Sequence, residues 1–270
     1  MSGTDLKLVK ASSAFNGDAK TNGFDFRVLG DQTPFLEISM DPGLTIVAES
    51  GALLSKSGDV KIDTQFGDGV NEGGFFKKLG SAAKRLVTGE SLLMTTFNNE
   101  AQDRRTLTLA APIPGEIFAL NLADLDNEII CQRGSFFAAP KGVDINIHLN
   151  KKLGSGFFGG EGFIMQKLTG DDWVFLNAGG NLYEHMLKDG EQLDVDTSCL
   201  VAITKDVQMD ITSVGAKNFL FGGEGLFLSR LTGPGKVWVQ SMPFARLTDT
   251  IGNALRPMMR SEARSATPSR

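Results

Sequence analysis

Apolar and polar residues alternate along most of the chain, the period-two signature of strands with one covered face. Phe24-Asp25-Phe26-Arg27-Val28-Leu29 alternates in this way, and Phe35-Leu36-Glu37-Ile38-Ser39-Met40 follows a turn at Asp31 to Pro34. Asp41-Pro42-Gly43 supplies the next turn and leads into Leu44-Thr45-Ile46-Val47. Further strands are predicted at Thr106 to Leu109, Gly115 to Leu120, Asp144 to Leu149 and Leu182 to Leu187. In the Asp144 strand, the alternation puts His148 on the polar face with Asp144 and Asn146. The pattern as a whole predicts an all-β protein.

Two stretches switch to helical spacing. Phe75, Leu79, Ala82, Ala83 and Leu86 share one face, and Lys77, Lys78, Lys84 and Arg85 fall on the other. Phe75 to Val87 therefore reads as a short basic amphipathic helix, which Gly80 weakens by roughly 1 kcal/mol. Near the end, Phe244, Leu247, Ile251 and Leu255 predict a helix over 244–255, between Pro243 and Pro257. Residues 1–22 read as a flexible leader and residues 256–270 as a disordered Ser/Arg tail, because neither holds a lasting apolar period.

A repeat organises the middle of the chain. Phe158-Gly159-Gly160-Glu161-Gly162 and Phe221-Gly222-Gly223-Glu224-Gly225 each run into an apolar strand, with a weaker copy at Thr88-Gly89-Glu90. Upstream, Val60, Val143 and Val207 end three similar segments, with Leu54, Phe137 and Val201 six residues before them and a small residue nine before. The interval from valine to glutamate is 30 residues in the first set against 18 and 17 in the others, so the basic segment occupies an insertion. The expectation is one domain over 23–255 built of three repeated units, about 23–122, 123–192 and 193–243, in an approximate threefold arrangement, with a helix inserted in the first and the helix 244–255 at the end.

Composition narrows what such a body can do. A formal charge of −5 and a pI near 5.2 argue against a general phosphate-binding surface, so nucleic acid is not expected as a partner. No apolar run is long enough to span a membrane, and Met1 to Asp5 has no cationic region leading into an apolar one. The cytoplasm is the expected compartment, with two reduced, mostly buried thiols at Cys131 and Cys199. His148 and His185 are the only histidines and belong to no nucleophile or zinc motif. No catalytic residue or cofactor is predicted. The Gly-Gly-Glu-Gly turns precede strands and not helix N-termini, so they read as tight turns in place of phosphate loops. Glu90, Glu161 and Glu224 could form a carboxylate ring for a hard cation if the units pack around an axis; a carboxylate capping its own turn is the plainer account.

The Asp41-Pro42-Gly43 strand entry, Ala48-Glu49-Ser50-Gly51-Ala52-Leu53, the two glycine turns, Leu231-Thr232-Gly233-Pro234-Gly235 with Val237-Trp238-Val239, and Phe244-Ala245-Arg246-Leu247 together resemble the family of the mitochondrial altered-inheritance protein and its bacterial relatives. The resemblance implies a fold similar to the tryptophan RNA-binding attenuation protein, with β-sandwich units of the double-stranded β-helix type. It also implies an association of the mitochondrial relatives with the inner membrane, and it brings no catalytic residues. The reading is a non-enzymatic scaffold, self-associating as a homo-oligomer. It would touch an anionic membrane, peripherally, or a protein partner through Phe75, Phe76, Lys77, Lys78, Leu79, Lys84, Arg85 and Leu86. A cupin-like ligand-binding sandwich is the alternative, and an RNA-binding ring comes third.

Overall fold

The structure is a computed structural model and describes residues 7–9, 23–66, 93–151, 163–214 and 226–265. Those residues form antiparallel strands, a few short 3-10 turns and one long helix. The strands are β1 (Lys7–Val9) and β2 (Phe24–Leu29), then β3 (Phe35–Met40), β4 (Thr45–Glu49), β5 (Leu53–Lys56), β6 (Val60–Phe66), β7 (Leu93–Asn99) and β8 (Arg105–Ala110). There follow β9 (Gly115–Asn121), β10 (Glu128–Gln132), β11 (Phe136–Pro140), β12 (Asp144–Lys151), β13 (Phe163–Thr169) and β14 (Trp173–Gly179). The last are β15 (Leu182–Leu187), β16 (Gln192–Asp196), β17 (Leu200–Ile203), β18 (Gln208–Val214), β19 (Leu226–Thr232) and β20 (Gly235–Gln240), and helix α1 covers Phe244–Ser265.

Local sequence accounts for much of this. In β3 the side chains of Leu36, Ile38 and Met40 are fully buried while their neighbours are half-exposed, as the alternation requires. β14 is buried along its whole length, because it lies in the interior of a sheet with both faces covered. At the Asp41-Pro42-Gly43 turn, Gly43 takes φ 80° and its N–H reaches the Asn99 carbonyl at 2.8 Å. Asn99 itself is buried; its Nδ2 donates to the carbonyls of Met40 and Asp103, and its Oδ1 accepts from the Ala101 N–H.

Pairing sets the architecture. β3 and β5 flank β8, and β4 and β6 flank β7. β9 and β11 flank β14, and β10 and β12 flank β13. β15 and β17 flank β20, and β16 and β18 flank β19. β4 also pairs with β11, and β10 with β17, so the sheets run on from one set of strands to the next. The outcome is a six-stranded sheet β6-β7-β4-β11-β14-β9, a seven-stranded sheet β1-β15-β20-β17-β10-β13-β12, a four-stranded sheet β2-β3-β8-β5 and a three-stranded sheet β16-β19-β18. Register shifts of one residue fall at Leu54 in β5, Phe137 in β11 and Val201 in β17.

Three apolar clusters lie between the sheets. The first gathers Phe24, Phe26 and the inward residues of β3 and β8 against Ile46, Ala48, Phe97, Phe137, Trp173 and Phe175. Phe26 stands edge-on to Phe175 at 4.8 Å and to Trp173 at 5.1 Å between ring centroids. The second holds Val47, Ile129, Cys131, Phe136, Leu168, Leu176 and Trp238; the third holds Ile130, Phe163, Met165, Leu200, Val207, Leu231 and Val237.

Several expectations need correction. Within the stretch read as a flexible leader, Lys7–Val9 pairs with Leu182–Glu184 as an added edge strand. Helix α1 does not stop before Pro257 but continues to Ser265, so most of the supposed disordered tail is helical. Proline's fixed φ is compatible with a helix even though one hydrogen bond is lost, and the Met, Arg, Glu and Ala residues after it favour the helical state. The clean alternation of β12 breaks at His148, where the register shifts between Ile147 and Leu149 and leaves Ile147 exposed. Among the described strands β16 pairs with β19 and β5 with β8, at the ends of separate sheets. The segment Phe75 to Val87 and the three glycine turns lie outside the described residues.

Candidate functional site

The groups with chemical potential are scattered through the body. Cys131, on β10, is fully buried, and desolvation pushes its thiol up to about 12, so it stays protonated at neutral pH. Cys199 is half-buried; burial and then the Asp196 charge raise its pKa, while the Arg246 guanidinium, 3.4 Å from Sγ, pulls the other way. Neither cysteine is in a disulfide. His185 on β15 is buried, and burial lowers its pKa; His148 is exposed on β12. The two histidines lie on different strands, and among the described residues no group of three or more His, Cys, Asp or Glu is placed to hold a metal ion.

Glu49 is the carboxyl most altered by its surroundings. It ends β4 opposite Met94, and burial pushes its carboxyl up to about 7, offset in part by the positive charge of Arg133. Nothing local along the chain signals it. Glu49 sits next to the serine that leads into β5, in a position that looks like an ordinary strand end.

Surface charges are mostly paired. Arg104 bridges Asp25 and Asp41, Arg105 bridges Asp59 and Asp103, and Arg230 holds Asp194 through two contacts of 2.8 and 2.9 Å. Such exposed pairs contribute little to stability, about 0–1 kcal/mol each. They do fix the turns and edges they span.

What the surface leaves uncovered is apolar. Leu53 and Leu54 on β5 are 39% and 56% exposed, on a strand whose outer edge has no described partner. On α1, residues 248–255 are all exposed, including Ile251 and Leu255. Helix α1 thus projects from the body; the Pro243 carbonyl closes its first turn by accepting from the Arg246 and Leu247 N–H groups, and the Arg246 side chain reaches Asp196 at 3.4 Å. No described helix is long and apolar enough to cross a membrane.

The residues singled out in the sequence distribute as follows. Glu90, Glu161 and Glu224, and Phe75, Phe76, Lys77, Lys78, Leu79, Lys84, Arg85 and Leu86, all lie outside the described residues. The surface the sequence reading missed is the β5 edge. Its signal was present: Leu54 occupies the place six residues before Val60 that Phe137 and Val201 hold before Val143 and Val207, yet its strand neighbours are Ser55 and Lys56.

The fold is that of an all-β protein of consecutive antiparallel sheets enclosing three apolar cores, with a projecting helix. The chain belongs to the mitochondrial biogenesis AIM24 family, whose profile matches residues 26–242. It is similar to an uncharacterised protein of Streptococcus pyogenes serotype M6, with 25% identity over 223 residues, covering 82% of this chain and 86% of that one. A crystal structure of a Streptococcus pyogenes protein matches with a TM-score of 0.66 and 21% identity, covering 86% of this chain and 100% of its own. That likeness shows a shared fold.

Proposed function

We propose that the protein is a non-enzymatic scaffold, in which three copies of one six-strand β-sandwich form a body that attaches to an anionic membrane surface through the cationic stretch Phe75 to Val87. The observation that carries the scaffold reading is the pairing. In each consecutive set of six strands, the first and third flank the sixth, and the second and fourth flank the fifth. The shift of register falls at the same place in the third strand of each set. On this reading the units begin at Phe35, Gly115 and Leu182, against the 23, 123 and 193 expected from the sequence landmarks.

The cores of this body are mainly apolar, and many of its described surface charges form ion pairs. The attachment reading rests on sequence: four cations opposite an apolar stripe suit a surface of negative headgroups, each worth about 1 kcal/mol near such a membrane. Co-sedimentation of the full chain with vesicles tests it. The protein should pellet with phosphatidylserine-containing vesicles and stay in the supernatant with phosphatidylcholine alone. Replacing Lys77, Lys78, Lys84 and Arg85 by Gln should return it to the supernatant. Equal recovery in the supernatant for both vesicle types would overturn the membrane part of the reading.

A further inference from the structure

We propose that helix α1 is a lipid-contact arm, which lies on a bilayer of anionic headgroups with Phe244, Ile251 and Leu255 set into it. The inference stands on α1 alone and does not use the stretch Phe75 to Val87.

The chain enters α1 from a fixed base. The Ser241 N–H donates to the Asn181 carbonyl and the Met242 N–H to the Gly179 carbonyl, both at 3.0 Å, while the Asn181 N–H donates back to Ser241 Oγ at 2.9 Å. The approach is so close that a Cβ at Gly179 would lie 2.0 Å from the Met242 carbonyl oxygen. Gln240 ties the same corner, for its Oε1 accepts from the Gly179 N–H at 2.8 Å and its Nε2 donates to the Ser198 carbonyl at 3.0 Å. In the first turn of the helix, the Arg246 guanidinium reaches Asp196 and Cys199 Sγ, each at 3.4 Å. The Arg246 side of α1 therefore faces the body.

The helical period then decides where the apolar residues go. At about 100° per residue, Phe244, Ile251 and Leu255 stand about 160°, 140° and 180° around the axis from Arg246. They are 59%, 50% and 48% exposed, and every residue of 248–255 is open to solvent. The stripe points away from its own protein and gains nothing from it, although amphipathic helices draw most of their stability from covering that face.

Charge says what covers it. From Phe244 to the C-terminus the sequence holds five arginines against Asp249 and Glu262, in a chain of formal charge −5. The helix backbone continues through Arg256, Arg260 and Arg264, which recur in the sequence at intervals of four, and Met258 follows Ile251 by seven. A cationic polar side and an apolar stripe, on a helix not apolar enough to cross a membrane, is the pattern of a helix lying in the interface plane. A groove on an acidic protein would clasp the stripe alone. An anionic bilayer also attracts the far side, because the helix is about 10 Å thick and the field of the headgroups decays over about 8–10 Å. The acidic remainder of the chain is repelled by the same field, which turns α1 toward the lipid.

The test reads α1 directly in the full chain. Cys131 is fully buried, so with Cys199→Ser as background, Ile251→Cys or Asn253→Cys places one environment-sensitive fluorophore on the stripe or on the opposite side. Vesicles containing phosphatidylserine should shift the emission of the label at 251 to the blue and leave that at 253 unchanged. Vesicles of phosphatidylcholine alone should shift neither, and salt at about 0.5 M should reverse the shift. Ile251→Glu with Leu255→Glu should lower vesicle affinity about tenfold or more with unchanged circular dichroism, since both side chains are exposed in the free protein. No shift at 251, equal shifts at 251 and 253, or the same shift with phosphatidylcholine would each overturn the proposal. If the chain pellets with anionic vesicles and the label at 251 does not respond, α1 is excluded and attachment through Phe75 to Val87 stands. If 251 responds while Gln at the four cations of that stretch leaves pelleting unchanged, that attachment fails and the α1 contact stands.

Discussion

Glu49 carries a penalty that depends on pH. Its carboxyl titrates at about 7 in the folded protein against an ordinary value of 4.5, because burial disfavours the charged form more than Arg133 compensates. Below pH 4.5 both folded and unfolded chains hold the proton and nothing is lost. As pH rises through 7 the unfolded chain has released it while the folded chain must bury a charge, so stability falls across that window. Glu49→Gln should remove this slope. Melting curves at pH 5 and pH 8 should show the variant gaining on the parent at the higher pH, by an amount on the order of 2–3 kcal/mol. Equal differences at the two values would refute it. Cys131 is a buried thiol that the same desolvation holds protonated and inert, and its burial was expected because a free cysteine behaves as a small hydrophobe. Glu49 was not legible, since what desolvates it comes from strands far away in the chain.

At the level of elements, close approach of backbones decides positions that sequence leaves open. Gly115 begins β9 directly opposite Gly179 at the end of β14, and a Cβ there would collide with the Ala178 carbonyl. Gly115→Ala should therefore force the two strands apart. It should lower the thermal midpoint clearly, with a loss of roughly 2–4 kcal/mol, by the overpacking and backbone-shift mechanism. The same change at Gly58, which faces open space, should leave the midpoint within a degree or two, for surface changes are worth about 0.5 kcal/mol. Both can be read in parallel by differential scanning fluorimetry. Strands were mostly legible because alternation is a local property: β2, β3 and β12 all begin where the pattern does. Where two faces are covered, as in β14, alternation disappears and only the run of apolar residues remains. The end of α1 was misread for a related reason, since Pro257 is a local stop signal that the helix-favouring residues around it outweigh.

For the whole molecule, the joints between strand sets make the cores interdependent. Val47, on β4, is buried in the second cluster, while Ile117, Phe137, Trp173 and Phe175 of the second set complete the first. Ile130, Phe163 and Met165, also of the second set, lie in the third. Removing any one set would therefore open the core of a neighbour. The described body should unfold in a single transition, with calorimetric and van't Hoff enthalpies equal in scanning calorimetry; separate transitions for separate sets would contradict the shared cores. Its pairings are mostly non-local, so folding should be slow for its size.

By itself the sequence determined the class of the fold, the places where strands begin, the repetition of Val60, Val143 and Val207, and the family, because period, turn residues and spacing are carried by neighbours along the chain. The tertiary structure decided which strand edges are covered and which are not. Phe137, Val201 and Leu54 are interchangeable as apolar letters in three similar segments. Only the pairing of β11 with β4 and of β17 with β10, set against an edge of β5 that has no partner among the described strands, separates two core residues from one left facing water, since burial is a property of what lies across the edge and not of the residue.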